Sequence, residues 1–481
     1  MEGEILSDSF SDLVGHFYKL SSSLPDKRSG CNTQYSISDI VMSAFSLFFM
    51  QNESFLSFQR AMARSQGRNN AQTLFGIDKI PTDNHIRNML DGIPSESLRP
   101  LYNAVYMHLG SWQGRLPEGV IGVSRAHGLL HSFLQPIGAL AGQVAIAIDG
   151  TQTVRSYEIH CAQCNRQEVV HKKENKTLYF HSCIAPVLVV PKGKHVLSLP
   201  PEHIGGQVNM AKQDCELVAA GRWLDNNIAD IRRWFSPQTA GQESDLAPVG
   251  INILGDDLYA HQPFCLRLLA LGLHFVLVCK PDSHKTLYEE VALQAQNRLL
   301  RTYSHTDSTG ALAKRLTYQY RYANALPLRA SSDALLVNWC EITVKNHKGV
   351  QVYQNAFISD HPLTDTSVAD ICDLGRTRWK VENENHNTLK NRGYNFEHNF
   401  GHGKEHLTQT FTSLNVLAFL LHTTLDLADQ NYQYVRKLLG TRQDFFQHIA
   451  TLTSYFCFLS WRQLLIFIHQ SMHKQLPQKP P

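Results

Sequence analysis

The chain has no hydrophobic run long enough to cross a bilayer. Its richest apolar stretch, VLAFLL at Val416 to Leu421, is six residues long, against about twenty for a transmembrane helix. It also lacks a strong charge bias, since 45 Lys and Arg stand against 42 Asp and Glu for a net charge of +3. Composition alone therefore does not mark a nucleic-acid binder, and any basic surface must be local. No Walker lysine motif or dinucleotide fingerprint occurs, so nothing points to ATP or NAD. No internal repeat or long low-complexity tract is visible. The opening residues, MEGEILSDSFSD, are acidic and carry no apolar signal core, so a cytoplasmic location with no membrane partner is expected. Ten cysteines are present but scattered, several in apolar runs such as HFVLVCK. That excludes a disulfide framework and reads as reduced, partly buried thiols.

What is present is 481 residues, 43% of them hydrophobic and 18% charged. This is enough for two or three structural units around a large core. Residues 1–140 read as a helical N-terminal region, a candidate for DNA binding. Within it Ile40, Val41, Ala44, Phe45, Phe48 and Phe49 recur at helical spacing behind a cap expected at Ser38. PTDNHIRNMLDGI gives a second helix capped by Thr82. Core-forming helices account for this pattern, and a helix-turn-helix fits it as well. From Gln143 the pattern turns to strands: Val144–Ile148, then TLYFHSCIAPVLVVP and HVLSLP on either side of a turn at 192–194. A helix follows in QDCELVAAGRWLDNNIADIRRWF, then a strand in PVGINILGD, a helix in AHQPFCLRLLALG and a strand in HFVLVCKP. This order predicts an α/β fold with an RNase H-like core over 141–403. RLTYQYRYANALPL, ALLVNWCEITVKN and VQVYQNAFISD predict a β-rich insertion at about 281–364. Helices return over 404–481, with Leu407, Phe411, Leu414, Ala418, Leu421 and Leu425 on one stripe, and the tail QLPQKPP reads as disordered.

Two apolar runs end in aspartate: VAIAID at Asp149 and INILGD at Asp256. A third acid, Glu382, sits in RTRWKVENENHNTLK with Arg378 four residues before it and Lys390 eight after. Phosphodiester cleavage and strand transfer need a nucleophilic oxygen activated and a leaving oxygen stabilised. Two divalent cations held by carboxylates, Mg²⁺ or Mn²⁺, do both. Asp149, Asp256 and Glu382 are thus the expected catalytic residues and metal ligands. Arg376, Arg378, Lys390 and Arg392, with Lys380 beside them, are the expected DNA-phosphate contacts. Asp257 competes with Asp256, and Glu384 with Glu382. A strand-end aspartate alone is an ordinary turn residue, and a helical charge alone is ordinarily solvated, so the argument rests on the set.

The set resembles the DDE transposases of bacterial insertion sequences, in the group whose signature runs Tyr, Arg, Glu, Lys around the catalytic glutamate. Arg378, Glu382 and Lys390 match it in kind, with Trp379 and Val381 between them, and GYNFEHNFGHG from Gly393 resembles the continuation seen in one branch. Two departures stand out. Gly375 occupies the tyrosine position, and Lys390 lies one residue further from Glu382 than in the commonest form. The resemblance implies binding of terminal inverted repeats, 3′-end cleavage and joining to target DNA, with the insertion handling the transposon end. Joining two ends implies a homodimer. A nuclease of the same fold without strand transfer, or an inactive transposon-derived DNA-binding protein, would share these residues.

HCAQC at 160–164 carries a Cys-x-x-Cys pair, followed by His171, His181 and Cys183. Cys161 and Cys164 with two of these would make a tetrahedral Zn²⁺ site. One pair without a regularly spaced second half reads first as a solvent-facing or thiol-only loop. Trp379 is expected to pack its helix onto the sheet, and Tyr259 reads as either packing or site residue. His386, His398 and His402 read as ordinary hydrogen-bonding histidines.

Overall fold

The structure, a computed structural model, describes residues 9–29, 33–112, 128–135, 138–171, 174–206, 214–236, 249–307 and 315–473. The QLPQKPP tail and Cys31 lie outside them. Six helices open the chain: α1 (Ser9–Ser21), α2 (Ile37–Phe49), α3 (Phe55–Ala63), α4 (Ser65–Phe75), α5 (Asp83–Asp91) and α6 (Arg99–Ser111). The cap of α2 is Ser36, whose hydroxyl accepts from the Asp39 N–H. Ser38 lies inside the helix and is buried. The apolar periodicity placed the helix correctly, but two serines in sequence leave its first turn ambiguous. Thr82 caps α5 as expected, accepting from the His85 N–H. Every residue of α2 is buried, so this helix is core and has no free face to lay in a DNA groove.

The strands follow: β1 (Val144–Ala147), β2 (Gly150–Ser156), β3 (Asn165–His171), β4 (Glu174–Ile184), β5 (Val187–Val189), β6 (Leu197–Ser198) and β7 (Glu202–Ile204). Next come α7 (Glu216–Trp234), β8 (Ile251–Gly255), α8 (Gln262–Ala270), β9 (His274–Val278) and α9 (Lys285–Gln296). β10 (Arg301–Thr306), β11 (Leu316–Pro327), β12 (Leu336–Asn346) and β13 (Gln351–Ser359) precede α10 (Val368–Arg376) and α11 (Asn387–Asn391). The chain closes with α12 (Leu407–Ala428), α13 (Gln430–Leu439), α14 (Arg442–Tyr455) and α15 (Trp461–His473).

The fold is α/β. Nine strands form one mixed sheet in the order β10-β11-β12-β13-β9-β8-β1-β5-β6. β1 runs parallel to β8, and β8 parallel to β9, while every other neighbour in the sheet is antiparallel. VAIA and INILG are buried along their whole length, as expected for strands covered on both faces. The three segments read as a β-rich insertion are β11, β12 and β13, and β10 joins them at the sheet's outer edge.

Three elements had no clear periodic signal. α9 buries only Leu287 and Val291, so its apolar stripe is too narrow to stand out. β2 and β3, rich in polar residues, complete a second sheet in the order β2-β4-β3, with β7 paired to β4. This sheet is continuous in sequence with the first. β1 runs into β2, and β4 into β5, so one long antiparallel hairpin bends at Asp149–Gly150 and at 185–186.

α12 is the spine of the helical part. It is the single helix among the described residues long and apolar enough to cross a membrane, and 89% of its most apolar 18-residue window lies inside the fold. The expected stripe is buried, but so are Val416, Leu417, Phe419 and Leu420 on the other faces. Three of its threonines are satisfied locally: Thr412, Thr423 and Thr424 donate to carbonyls four residues back. The Asp91 carboxylate, at the end of α5, accepts from the N–H groups of Lys404, Glu405, His406 and Leu407 at 2.9–3.1 Å. Burial acts to raise its pKa and is outweighed by these donors, which hold it below the usual carboxylate value. It caps the first turn of α12 from a distant part of the chain. Asp91→Ala should therefore lower the unfolding free energy by about 1–2 kcal/mol, measured by chemical denaturation. A change within a few tenths would mean the cap carries no stability.

Candidate active site

Asp149 and Asp256 sit at matched positions. In the β1–β8 register Ala147 pairs with Leu254, and each aspartate follows two residues later. The Ile148 N–H still donates to the Leu254 carbonyl at 2.8 Å, so the pairing holds almost to the acids themselves. Two parallel neighbours about 4.8 Å apart thus present a carboxylate each at the same edge. Asp256 Oδ1 accepts from the Leu258 N–H at 2.9 Å. Asp257 is turned away: it accepts from the Lys280 N–H at 2.7 Å and from the Ser283 hydroxyl, with His284 Nε2 at 3.4 Å. It ties down the loop after β9, which separates the two candidates.

Glu382 reaches the same place from the segment after α10. That segment is not the single α-helix the spacing implied. α10 ends at Arg376, and Val381–His386 forms a π turn before α11. A π turn holds about one residue more than an α turn. Eight residues through it therefore cover about the rotation of seven in an α-helix, roughly 700°. Lys390 returns to within about 20° of Glu382, where an unbroken α-helix would leave it about 80° away. The extra residue between Glu382 and Lys390 is thus absorbed.

The segment is pinned to the β5–β6 side of the sheet. Asn385, fully buried, accepts from the Ser198 hydroxyl at 2.8 Å and donates to the Ala185 carbonyl at 3.2 Å. Lys380 points inward, not toward DNA, and donates to the Val190 and Gly193 carbonyls at 2.5 and 2.7 Å. Burial lowers its pKa, against the opposing charge of Glu384. Trp379, expected to pack its helix onto the sheet, is 44% exposed. Gly375, at the signature's tyrosine position, lies against the Phe357 ring, and a Cβ there would fall 2.7 Å from ring carbons. Close packing of α10 on β13 leaves no room for tyrosine.

A fourth acid was missed. Glu216, in the first turn of α7, accepts from the Gly150 N–H at 3.1 Å and the Tyr259 hydroxyl at 2.7 Å. A Cβ at residue 150 would meet its carboxylate at 2.3 Å, so glycine after Asp149 is what admits it. An acid in a first helical turn reads as a partner of the helix dipole, and nothing in sequence joins it to residue 150. Tyr259 is buried and serves to orient Glu216.

Burial pushes the Asp149 carboxyl up to about 7; Arg378 opposes this, and Glu216, Glu382 and Asp256 add to it. The three expected acids, Glu216 and Arg378 therefore share one electrostatic site. Arg378 Nη1 lies 2.6 Å from Glu382 Oε1. His386 Nδ1 is 3.8 Å from Asp149 Oδ2, and burial, with Lys390 and Arg378 nearby, lowers its pKa to about 4. It is a neutral imidazole at pH 7. The carboxylates do not close as a ligand set: no three of them bring oxygens within 4.8 Å of one another.

The remaining cations are dispersed. Lys390 Nζ is 3.1 Å from Glu397, and Arg392 is exposed. Arg376 leans over the Tyr353 ring of β13 at 4.8 Å and pairs with Asp373 at 3.4 Å, so it faces the insertion strands. No protein-family model matches the chain, and no curated protein matches it.

The raised Asp149 pKa sets a pH dependence. The folded chain keeps this proton over a range where the unfolded chain, near 3.8, has lost it. The contribution of Asp149 to stability is therefore greatest below that value and falls as pH rises to about 7. The cost above pH 7 is at most about 4 kcal/mol and smaller with solvent screening. Asp149→Asn removes the charge. The metal-free variant should match wild type in Tm near pH 4 and exceed it by several degrees at about pH 8. Equal values at both pH values would rule out a raised pKa.

Proposed function

We propose that the protein is a DNA transposase whose RNase H-like core carries a β-rich insertion and uses Asp149, Asp256 and Glu382 as catalytic, metal-holding carboxylates. The observation that carries this reading is the convergence of those acids, from two adjacent parallel strands and a separate helical segment, on one site with Arg378. The strand order supports the fold reading. β6-β5-β1 is an antiparallel run, and β8 and β9 continue it in parallel with a helix before each. The acids lie at the ends of the two central strands. β13 to β10 extend the sheet beyond β9, away from the acids.

Two divalent cations, Mg²⁺ or Mn²⁺, would supply the activation of the attacking oxygen and the stabilisation of the leaving oxygen. The residues fit such ions. All candidate donors are hard oxygen ligands, and burial with mutual repulsion already holds one of them protonated near neutral pH, a penalty that a cation relieves. Asp149, Asp256 and Glu382 would hold them, with Glu216 beside them.

The chain's other groups position DNA. Arg378, parted from Glu382, offers a planar fork to a phosphate. Trp379 presents an exposed ring three residues from Glu382 on which an unpaired base can stack. Lys390, once parted from Glu397, and the exposed Arg392 add charge on the same segment, while Arg376 is turned toward β13. The partners are terminal inverted repeats and target DNA, with a homodimer needed to join two ends.

The test is a strand-transfer assay with purified protein, Mg²⁺ or Mn²⁺, and DNA carrying the repeats that flank the gene. Wild type should give joined product. Asp149→Ala, Asp256→Ala and Glu382→Ala should each lose at least 10³-fold while still shifting end DNA in a binding assay (about 4 kcal/mol of transition-state stabilisation). Cleavage without joining would make the protein a nuclease. Binding with neither would make it an inactive descendant.

A further inference from the structure

The molecule holds a second constellation, remote in sequence from the acids. Cys161 and Cys164 lie in the turn between β2 and β3, His181 lies on β4, and His402 lies between α11 and α12. Their sulfur and nitrogen atoms all fall within 4.8 Å of one another. The sulfurs are 3.9 Å apart, and each lies 3.4 Å from His181 Nε2. His402 Nε2 is 3.0 Å from Cys164 Sγ and 3.3 Å from His181 Nε2. A tetrahedral zinc with bonds of about 2.3 Å to sulfur and 2.0–2.1 Å to nitrogen sets ligand separations of roughly 3.8, 3.6 and 3.3 Å for S···S, S···N and N···N. The observed edges follow that pattern, with Cys164–His402 the tightest.

Hydrogen bonding alone does not account for the cluster. Both imidazoles are nearly fully buried and turn Nε2 toward each other and toward sulfur. A single shared proton serves one of these contacts, whereas a cation serves all of them. The Cys161 N–H also points to Cys164 Sγ at 3.4 Å, a contact that suits a thiolate ligand. The sulfurs are too far apart for a disulfide, whose S–S bond is about 2.05 Å.

Cys183 is absent from the set, and the side chain of His171 lies outside the described residues. The fourth ligand, His402, is 221 residues beyond His181, which is why Cys-x-x-Cys had no visible second half. A second grouping, His274, Asp360 and His361, differs. There Asp360 holds His274 Nδ1 at 2.6 Å and Asn252 holds His361 Nε2 at 2.6 Å, so its donors are engaged.

We propose that Cys161, Cys164, His181 and His402 bind one structural Zn²⁺ that fastens the four-stranded sheet to the connection following the Glu382 segment. With four protein ligands the site is closed, as structural zinc sites are and catalytic ones are not. This inference is independent of the transposase reading, since it concerns other residues and is read without DNA.

The experiment uses the full chain. Metal analysis after desalting should find one zinc per chain. Protein stripped with a chelator and titrated with Co²⁺ should show visible bands of tetrahedral intensity and a near-ultraviolet sulfur-to-cobalt absorption, saturating at one equivalent. Cys164→Ala and His402→Ala should each lower Co²⁺ affinity by at least 100-fold. His402→Cys should keep the metal and strengthen the near-ultraviolet band, which guards against variants that merely misfold. Cys215→Ser, at an exposed cysteine outside the cluster, should change nothing. Wild type that takes up no Co²⁺ overturns the proposal, as does a Cys161–Cys164 disulfide detected by mass in freshly purified protein. An unchanged cobalt spectrum in His402→Ala overturns the ligand set.

Discussion

Parallel pairing of β1 with β8 is the constraint on which the site depends. Side chains alternate along a strand, so a slip of one residue would turn one aspartate to the opposite face of the sheet. Neither strand can slip easily, because each is hydrogen-bonded on both sides and buried throughout. β10 to β13 extend the sheet from β9 and leave this seam untouched.

The other parts of the site are fastened to the same seam. Asp149 stands where the long hairpin bends from one sheet into the other, and the bend brings its carboxylate to the edge. Glu216 is held by the Gly150 N–H on the next residue and by Tyr259, three residues past Asp256. The Glu382 segment is held through Asn385 and Lys380 to carbonyls next to β5, β1's other neighbour. Acids from three regions of the chain are thus referred to one strand pair. The clamps are buried polar contacts, whose loss leaves an unsatisfied group and not merely a weaker contact.

What could be read from sequence was what local pattern determines. Largely apolar runs ending in Asp149 and Asp256 marked strand ends, and the spacing around Glu382 marked a helical segment with charges on one side. Three features set by tertiary contact were not legible. Trp379 and Lys380 exchanged their expected places because helix phase is fixed by Leu374 and Val381 in the core, and the π turn reset it again. Glu216 carries no signal of its own, since its relation to Gly150 exists only once α7 is docked. His402 looked like one histidine among 24, and only the folded chain brings it to His181. Where a neighbour lies hundreds of residues away, spacing holds no information about it.

The burial of α12 has a consequence for how the chain is made. Tyr102 in α6 donates to the Ser413 carbonyl at 2.6 Å, and Phe48 in α2 packs its ring on Phe411 at 5.7 Å. α2 and α6 therefore wait for a partner that lies some three hundred residues later in the chain. Until α12 is made, α2 can be covered by α1, α4 and α5 but keeps the face that meets α12 bare. A product cut short before α12 would keep that face exposed and be open to chaperones and proteases.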